Sequence, residues 1–216
     1  VTPADYAKAR RTLMRRDPVL GAVIKACGPC GLADAQHTDP FKALIGAIVS
    51  QQLSVKAAAT IQGRFEDLFK KGTRKRFPTP EQVMAVSDDA LRGVGLSRMK
   101  VSFIRDLCQR VMDGSLRLRE LDALDDDAVI EALVAVKGIG RWTAEMFLMF
   151  RLHRPDVLPV GDLGILRGFQ KVYGWKADPS PAKMTRTAEA WRPYRSIACW
   201  YLWEYLENAP VTNRKD

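Results

Sequence analysis

Val136-Lys-Gly-Ile-Gly-Arg-Trp-Thr-Ala144 is the stretch whose reading decides the fold. Ahead of it, Val129, Leu133 and Val136 fall at helical spacing, and within and behind it Trp142, Met146 and Met149 do the same. Gly138 and Gly140 stand between the two runs, and glycine permits φ > 0 and close approach of another backbone. The pattern predicts helix, tight Gly-x-Gly hairpin and helix over residues 133–150, with N–H groups directed outward where the second helix starts. Such donors, with the positive end of the helix dipole, make a phosphate site. Lys137 and Arg141 flank it with charge.

Pro159-Val-Gly-Asp162 comes next, ahead of a helical stretch from Leu163 to Tyr173 that closes at Gly174. Asp162 thus falls at a helix N-terminus, where unpaired N–H groups and the dipole favour a negative charge. Each piece also has an ordinary reading: Gly-x-Gly between helices as a turn, and Asp before a helix as a cap. A phosphate clamp followed at short range by one fixed anion is the succession that points to chemistry on nucleic acid.

Composition agrees. The 216 residues carry 34 Lys and Arg against 25 Asp and Glu, a formal net charge of +9 that favours an anionic partner. No apolar run reaches membrane-spanning length and the N-terminus lacks a signal-peptide core, so an intracellular protein is expected, in cytoplasm or nucleoid, or in the nucleus of a eukaryote. Cys27-Gly-Pro-Cys30 has the spacing of half a metal or redox site, but no second Cys or His pair completes it. It reads as a helix end. His37 and His153 are isolated and carry no chemistry of their own.

Outward from the hairpin, every segment reads as helix or loop. Residues 1–32 are helical, with an apolar stripe at Leu13, Leu20, Val23 and Ile24 and a helix start at Asp17-Pro18. Phe41 to Val49 is densely apolar, Ser50-Gln-Gln-Leu-Ser54 interrupts it, and a second helix follows through Ala57, Ile61, Phe65 and Leu68 with Ser54 as N-cap. Lys70-Lys-Gly-Thr-Arg-Lys-Arg76 is a basic loop, either phosphate-contacting or solvated. Thr79 caps a short helix. Leu91-Arg-Gly-Val-Gly95 echoes the hairpin and reads as a structural turn, and Asp125 to Asp127 as helix-start acids. The aromatics of Trp191 to Leu206 belong first to a core. The class is all-α.

Together, Lys137-Gly-Ile-Gly-Arg-Trp-Thr-Ala144, Leu158-Pro-Val-Gly-Asp162, Ala47-Ile-Val-Ser-Gln-Gln-Leu-Ser54, Trp191-Arg-Pro-Tyr-Arg-Ser196 and Trp203 resemble the helix-hairpin-helix DNA glycosylase superfamily, nearest its bacterial 3-methyladenine DNA glycosylase II type. The likeness runs from about Phe41 onward. It implies one glycosylase domain over residues 1–216, with two helical lobes around a central cleft and no N-terminal β domain. The lobes are residues 41–155, holding the hairpin, and residues 1–40 with 156–216.

The resemblance also implies roles. Asp162 is the catalytic carboxylate, and Trp142, Trp203, Met146 and Leu163 line a pocket for an everted base. Relatives often have aromatics where Met146 and Leu163 stand. Gln52 or Leu53, Gln52 by positional match, is the wedge that fills the vacated stack, with Ser54 behind; the ordinary reading is that Gln51 and Gln52 satisfy backbone groups in the turn. Lys137, Gly138, Gly140, Arg141 and Thr143 hold the strand. Main-chain carbonyls of Val134, Val136 and Ile139 match a site for Na+ or K+, and no cofactor is required. Strand-nicking members carry a Lys where Trp142 stands, so a monofunctional enzyme is expected. Only Cys199 lies where some relatives bind an iron–sulfur cluster, so none is expected.

The expected partner is double-stranded DNA containing alkylated purines of the 3-methyladenine and 7-methylguanine class, met by a monomer without a membrane. The rival is a non-catalytic helix-hairpin-helix protein that recognises DNA damage or structure. A glycosylase for oxidised or mismatched bases is a second rival.

Overall fold

The computed structural model describes residues 3–34, 39–70 and 77–208. Among these residues there are helices and no strand, and no helix is long and apolar enough to cross a membrane. His37 and positions 71–76 of the basic run lie outside the described residues. The chain divides into two compact units, residues 1–36 with 148–216 and residues 37–147. Against the expected lobe edges at 41 and 155, the upper boundary falls inside the hairpin's second helix. Its last turn belongs with the first unit because the Leu148 carbonyl accepts the Arg154 N–H and Phe150 stacks on Trp203.

The first unit contains α1 (Pro3–Arg16), α2 (Pro18–Cys27), a 3₁₀ turn at Gly31–Asp34 and, late in the chain, the helix carrying Asp162 with those that follow it. Leu13, Leu20 and Ile24 are fully buried, as their spacing predicts. Phe169 stacks on Tyr173, Trp175 and Trp191 at centroid distances of 5.8, 5.6 and 5.0 Å. Asp17 is buried beside this cluster. Its Oδ1 accepts the Leu20 N–H at 3.0 Å, capping α2, and its Oδ2 accepts Trp191 Nε1–H at 2.9 Å and the Tyr173 hydroxyl. Three donors satisfy a carboxylate that would be costly to bury alone. Burial and the Asp17 charge together push the Tyr173 phenol well above its ordinary range. α2 ends at Cys27, where Gly28 takes φ 81°, and Cys27 and Cys30 are not joined in a disulfide.

The second unit contains α3 (Pro40–Ser50), α4 (Val55–Leu68), α5 (Pro80–Met84), α6 (Asp88–Gly93), α7 (Arg98–Met112), α8 (Asp126–Val134) and most of α9 (Arg141–Phe150). Its core is Leu44, Ile45, Ile48, Phe65, Leu91, Ile104 and Leu133, each fully buried. Side-chain oxygens of Asp39, Ser54, Thr79, Ser87, Ser97 and Asp125 accept the N–H three residues on and start successive helices. The stripe expected on α4 is thinner than its spacing implies: Phe65 is buried, whereas Leu68, at the helix end, is 39% exposed.

Candidate active site

In the first unit, the site is built where α10 (Leu163–Tyr173) begins. Pro159 and Gly161 form the turn, whose Pro159 carbonyl accepts the Asp162 N–H at 3.0 Å. Asp162 is the N-cap: its Oδ1 accepts the Ile165 N–H at 2.7 Å. The same oxygen accepts Trp203 Nε1–H at 2.9 Å from α12 (Arg195–Asn208). A backbone donor and an indole donor therefore fix this carboxylate on a half-exposed helix end, where the dipole favours its charge.

The other end of α12 fixes the approach to that turn. Ser196 Oγ donates to the Arg154 carbonyl at 2.6 Å and accepts the Val157 N–H at 2.9 Å. Asp156 is gripped by Arg192 at 2.7 Å and Arg195 at 2.8 Å. Ser196 and Trp203 lie seven residues apart, two turns on one helix face, so α12 holds both the incoming loop and the carboxylate.

The second unit holds the Gly138–Gly140 hairpin. The Ile139 N–H closes on the Val136 carbonyl and the Ala144 N–H on that of Gly140, each at 3.1 Å. Gly140 is thus the N-cap of α9 and brings no side-chain acceptor to the first-turn N–H groups. Gly138 has φ 79°, and a Cβ there would lie 2.1 Å from the Phe103 ring on α7. A Cβ at Gly140 would meet nothing within 4 Å. The Lys137 N–H bonds Asp106 Oδ2 at 2.9 Å. Burial opposes the Asp106 anion, but that N–H, Arg110 and Lys137 outweigh it and hold the carboxyl below its ordinary range.

The turn between α3 and α4, expected to carry the wedge, is tied to the same hairpin. Gln51 Nε2 donates to the Gly138 carbonyl at 2.8 Å. Lys100 Nζ donates to the Val49 and Gln51 carbonyls at 2.7 and 2.8 Å, closing the C-terminal end of α3. Partial burial lowers the Lys100 ammonium's pKa. Gln52 is exposed with φ 56°, a conformation uncommon outside glycine. Leu53 is 38% exposed, and Ser54 caps α4 through the Ala57 N–H at 3.3 Å.

Of the expected pocket residues, Asp162 and Trp203 are in direct contact and Leu163, 65% exposed, follows in chain. Trp203 also stacks on Phe150 at 5.9 Å, which sequence spacing did not single out. Trp142 is 50% exposed on the first turn of α9, and Met146 is half-buried one turn on. Arg141 pairs with the buried Glu145 at 3.0 Å. Thr143, expected to touch the strand, has a buried side chain.

Gly164 was missed as well, although Gly164 and Gly168 are four residues apart. A Cβ at Gly164 would lie 2.8 Å from Trp203 Nε1, and one at Gly168 would lie 2.7 Å from Leu202 Cβ. The two glycines let α10 and α12 approach closely.

A family model described as HhH-GPD superfamily base excision DNA repair protein matches residues 45–193. The chain is 35% identical to DNA-3-methyladenine glycosylase 1 of Schizosaccharomyces pombe over 178 residues, 82% of this chain and 77% of that one. The structure is similar to a DNA-3-methyladenine glycosidase of Bacillus halodurans, with TM-score 0.82 and 41% identity over 93% of this chain and 89% of that one. It is similar also to the S. pombe 3-methyladenine DNA glycosylase in complex with abasic DNA, with TM-score 0.79 and 31% identity over 94% and 98% of the two chains. With the hairpin, the Gly- and Pro-containing turn and Asp162 all inside the matched span, the chain belongs to the HhH-GPD superfamily of base excision DNA repair proteins.

Proposed function

We propose that this protein excises alkylated purines of the 3-methyladenine and 7-methylguanine class from double-stranded DNA by hydrolysing the N-glycosidic bond, and leaves the strand intact. The observation that carries the reading is the Asp162 carboxylate, fixed at the start of α10 by the Ile165 N–H and the Trp203 indole N–H. Relatives named for 3-methyladenine, at 35% and 41% identity, support the substrate class.

As the glycosidic bond breaks, positive charge develops on the sugar and the base departs with the bonding electrons. A fixed carboxylate stabilises that charge electrostatically and orients the water that attacks the anomeric carbon. Asp162 has this role. Alkylation at N3 or N7 makes the purine cationic and already a good leaving group, so no general acid is required of the chain. An exposed indole such as Trp142 gains about 0.5–2 kcal/mol against a cation.

The target must leave the duplex stack to be reached. The N-terminus of α9, open at Gly140, takes the backbone phosphate, and Gln52, with Leu53 beside it, fills the vacancy. Gln51 joins these two tasks, since its amide links the wedge turn to the hairpin. A Na+ or K+ ion would be held by the carbonyls of Val134, Val136 and Ile139. α8 ends at Val134, so its last carbonyls have no following turn and carry the negative end of the dipole. The Val136 oxygen keeps a second lone pair beyond its Ile139 bond. The ion would add positive charge for the phosphate.

Two residues past Gly140 stands Trp142, which offers no amine to form a Schiff base with the abasic sugar. The protein acts as a monomer and stops at the abasic site. Base release from duplexes carrying single defined lesions tests this reading. 3-Methyladenine and 7-methylguanine are released, 8-oxoguanine is not, and borohydride traps no covalent adduct. DNA binding without release of any base would instead favour the non-catalytic alternative.

A further inference from the structure

Trp203 was expected as a wall of the base pocket, but its contacts give it another task. Its Nε1–H is directed onto Asp162 Oδ1 at 2.9 Å, and its ring lies on Phe150 at 5.9 Å with 28° between planes. On its pyrrole edge, a Cβ at Gly164 would stand 2.8 Å from both Cδ1 and Nε1 and 3.0 Å from Asp162 Oδ1. Only a residue without a side chain fits between the indole and the carboxylate it holds.

We infer that Trp203 is a positioning residue that aims Asp162, seated in a slot made by Phe150 and the bare backbone of Gly164. The inference rests on the activity proposed above and deepens it at the same site. Three observations converge on it. The indole donor meets the oxygen that also caps α10, so one oxygen is held from two directions and the carboxyl plane is set. The Phe150 stack fixes the ring plane and so the direction of that donor. Gly164, the second residue of α10, has no side chain to obstruct the approach. Electrostatic stabilisation of a sugar cation depends on a preorganised anion, so losing one donor costs rate more than it costs binding.

The test is single-turnover excision of 7-methylguanine from a defined duplex, with enzyme concentration varied to separate the limiting rate from half-saturation. Trp203→Phe keeps an aromatic ring on Phe150 and deletes the donor. Gly164→Ala keeps every atom of Trp203 and displaces it. Each variant lowers the limiting rate about ten- to a hundredfold, the worth of a hydrogen bond to a charged group. Half-saturation stays within about twofold, because an interaction with Asp162 alone is felt in the transition state. Gly164→Ala keeps the test open should Trp203→Phe fail to fold, and thermal melting of both controls for folding.

A full limiting rate with raised half-saturation in Trp203→Phe would return Trp203 to the pocket wall and overturn the inference. So would wild-type behaviour of Gly164→Ala. If the wild-type protein releases no base, the proposed activity itself fails; if Asp162→Asn releases it equally fast, the catalytic role given to Asp162 fails. Activity that depends on Asp162 but not on Trp203 sinks only the positioning role.

Discussion

Gly138 and Gly140 answer to different constraints although one residue separates them. Gly138 has φ 79° and would drive a Cβ into Phe103, so Gly138→Ala combines backbone strain with overpacking and is expected to cost about 2–5 kcal/mol in urea unfolding. Gly140 has neither problem: its backbone needs no positive φ and a Cβ meets nothing within 4 Å. Gly140→Ala should therefore stay within about 1 kcal/mol of the parent in stability. If the α9 N-terminus receives a phosphate, the added methyl intrudes there, and affinity for duplex DNA falls while the fold persists. Equal losses of stability in both variants would show that the two glycines share one structural task.

At the scale of elements, α7 is the bracket for the hairpin unit. Lys100, Phe103 and Asp106 recur every three residues along it and hold, in turn, the turn between α3 and α4, the Gly138 backbone and the Lys137 N–H. Because the Asp106 carboxyl is held below its ordinary range in the folded protein, its contribution is fully present above the unfolded carboxyl value of about 4 and is lost as pH falls through the lower folded value. Asp106→Asn should destabilise by about 1–3 kcal/mol at pH 7. In urea unfolding, its deficit against the parent should shrink as pH falls below about 4. A deficit independent of pH would mean that Asp106 acts by shape and not by charge.

This bracket was not legible in the sequence, and the reason is physical. Helix starts at Asp17, Ser54, Thr79, Asp125 and Asp162 could be read because a cap and its N–H are three residues apart. Lys100 and Asp106 act on partners 49 and 31 residues away. The Asp162–Trp203 bond spans 41 residues, and only the Gly164 and Gly168 spacing hinted that α10 has a close neighbour. The hairpin was legible as a turn, but the engagement of the Lys137 N–H by Asp106 was not.

Over the whole molecule, the net charge of +9 implies duplex binding that weakens steeply with salt. Lys137→Gln should lower the slope of log affinity against log salt by about 0.9 if that ammonium neutralises one phosphate. Arg141→Gln is the less clean test, because it also removes an ion-pair partner of the buried Glu145 carboxylate. In this basic chain the proposed chemistry hangs on one side chain, so the most direct measurement compares wild type with Asp162→Asn on a duplex containing a single 7-methylguanine. Base release and DNA affinity are scored in parallel. Asp162→Asn should lose at least about a hundredfold in single-turnover release and keep its affinity for the duplex. Release at the wild-type rate by Asp162→Asn would remove the carboxylate from the mechanism.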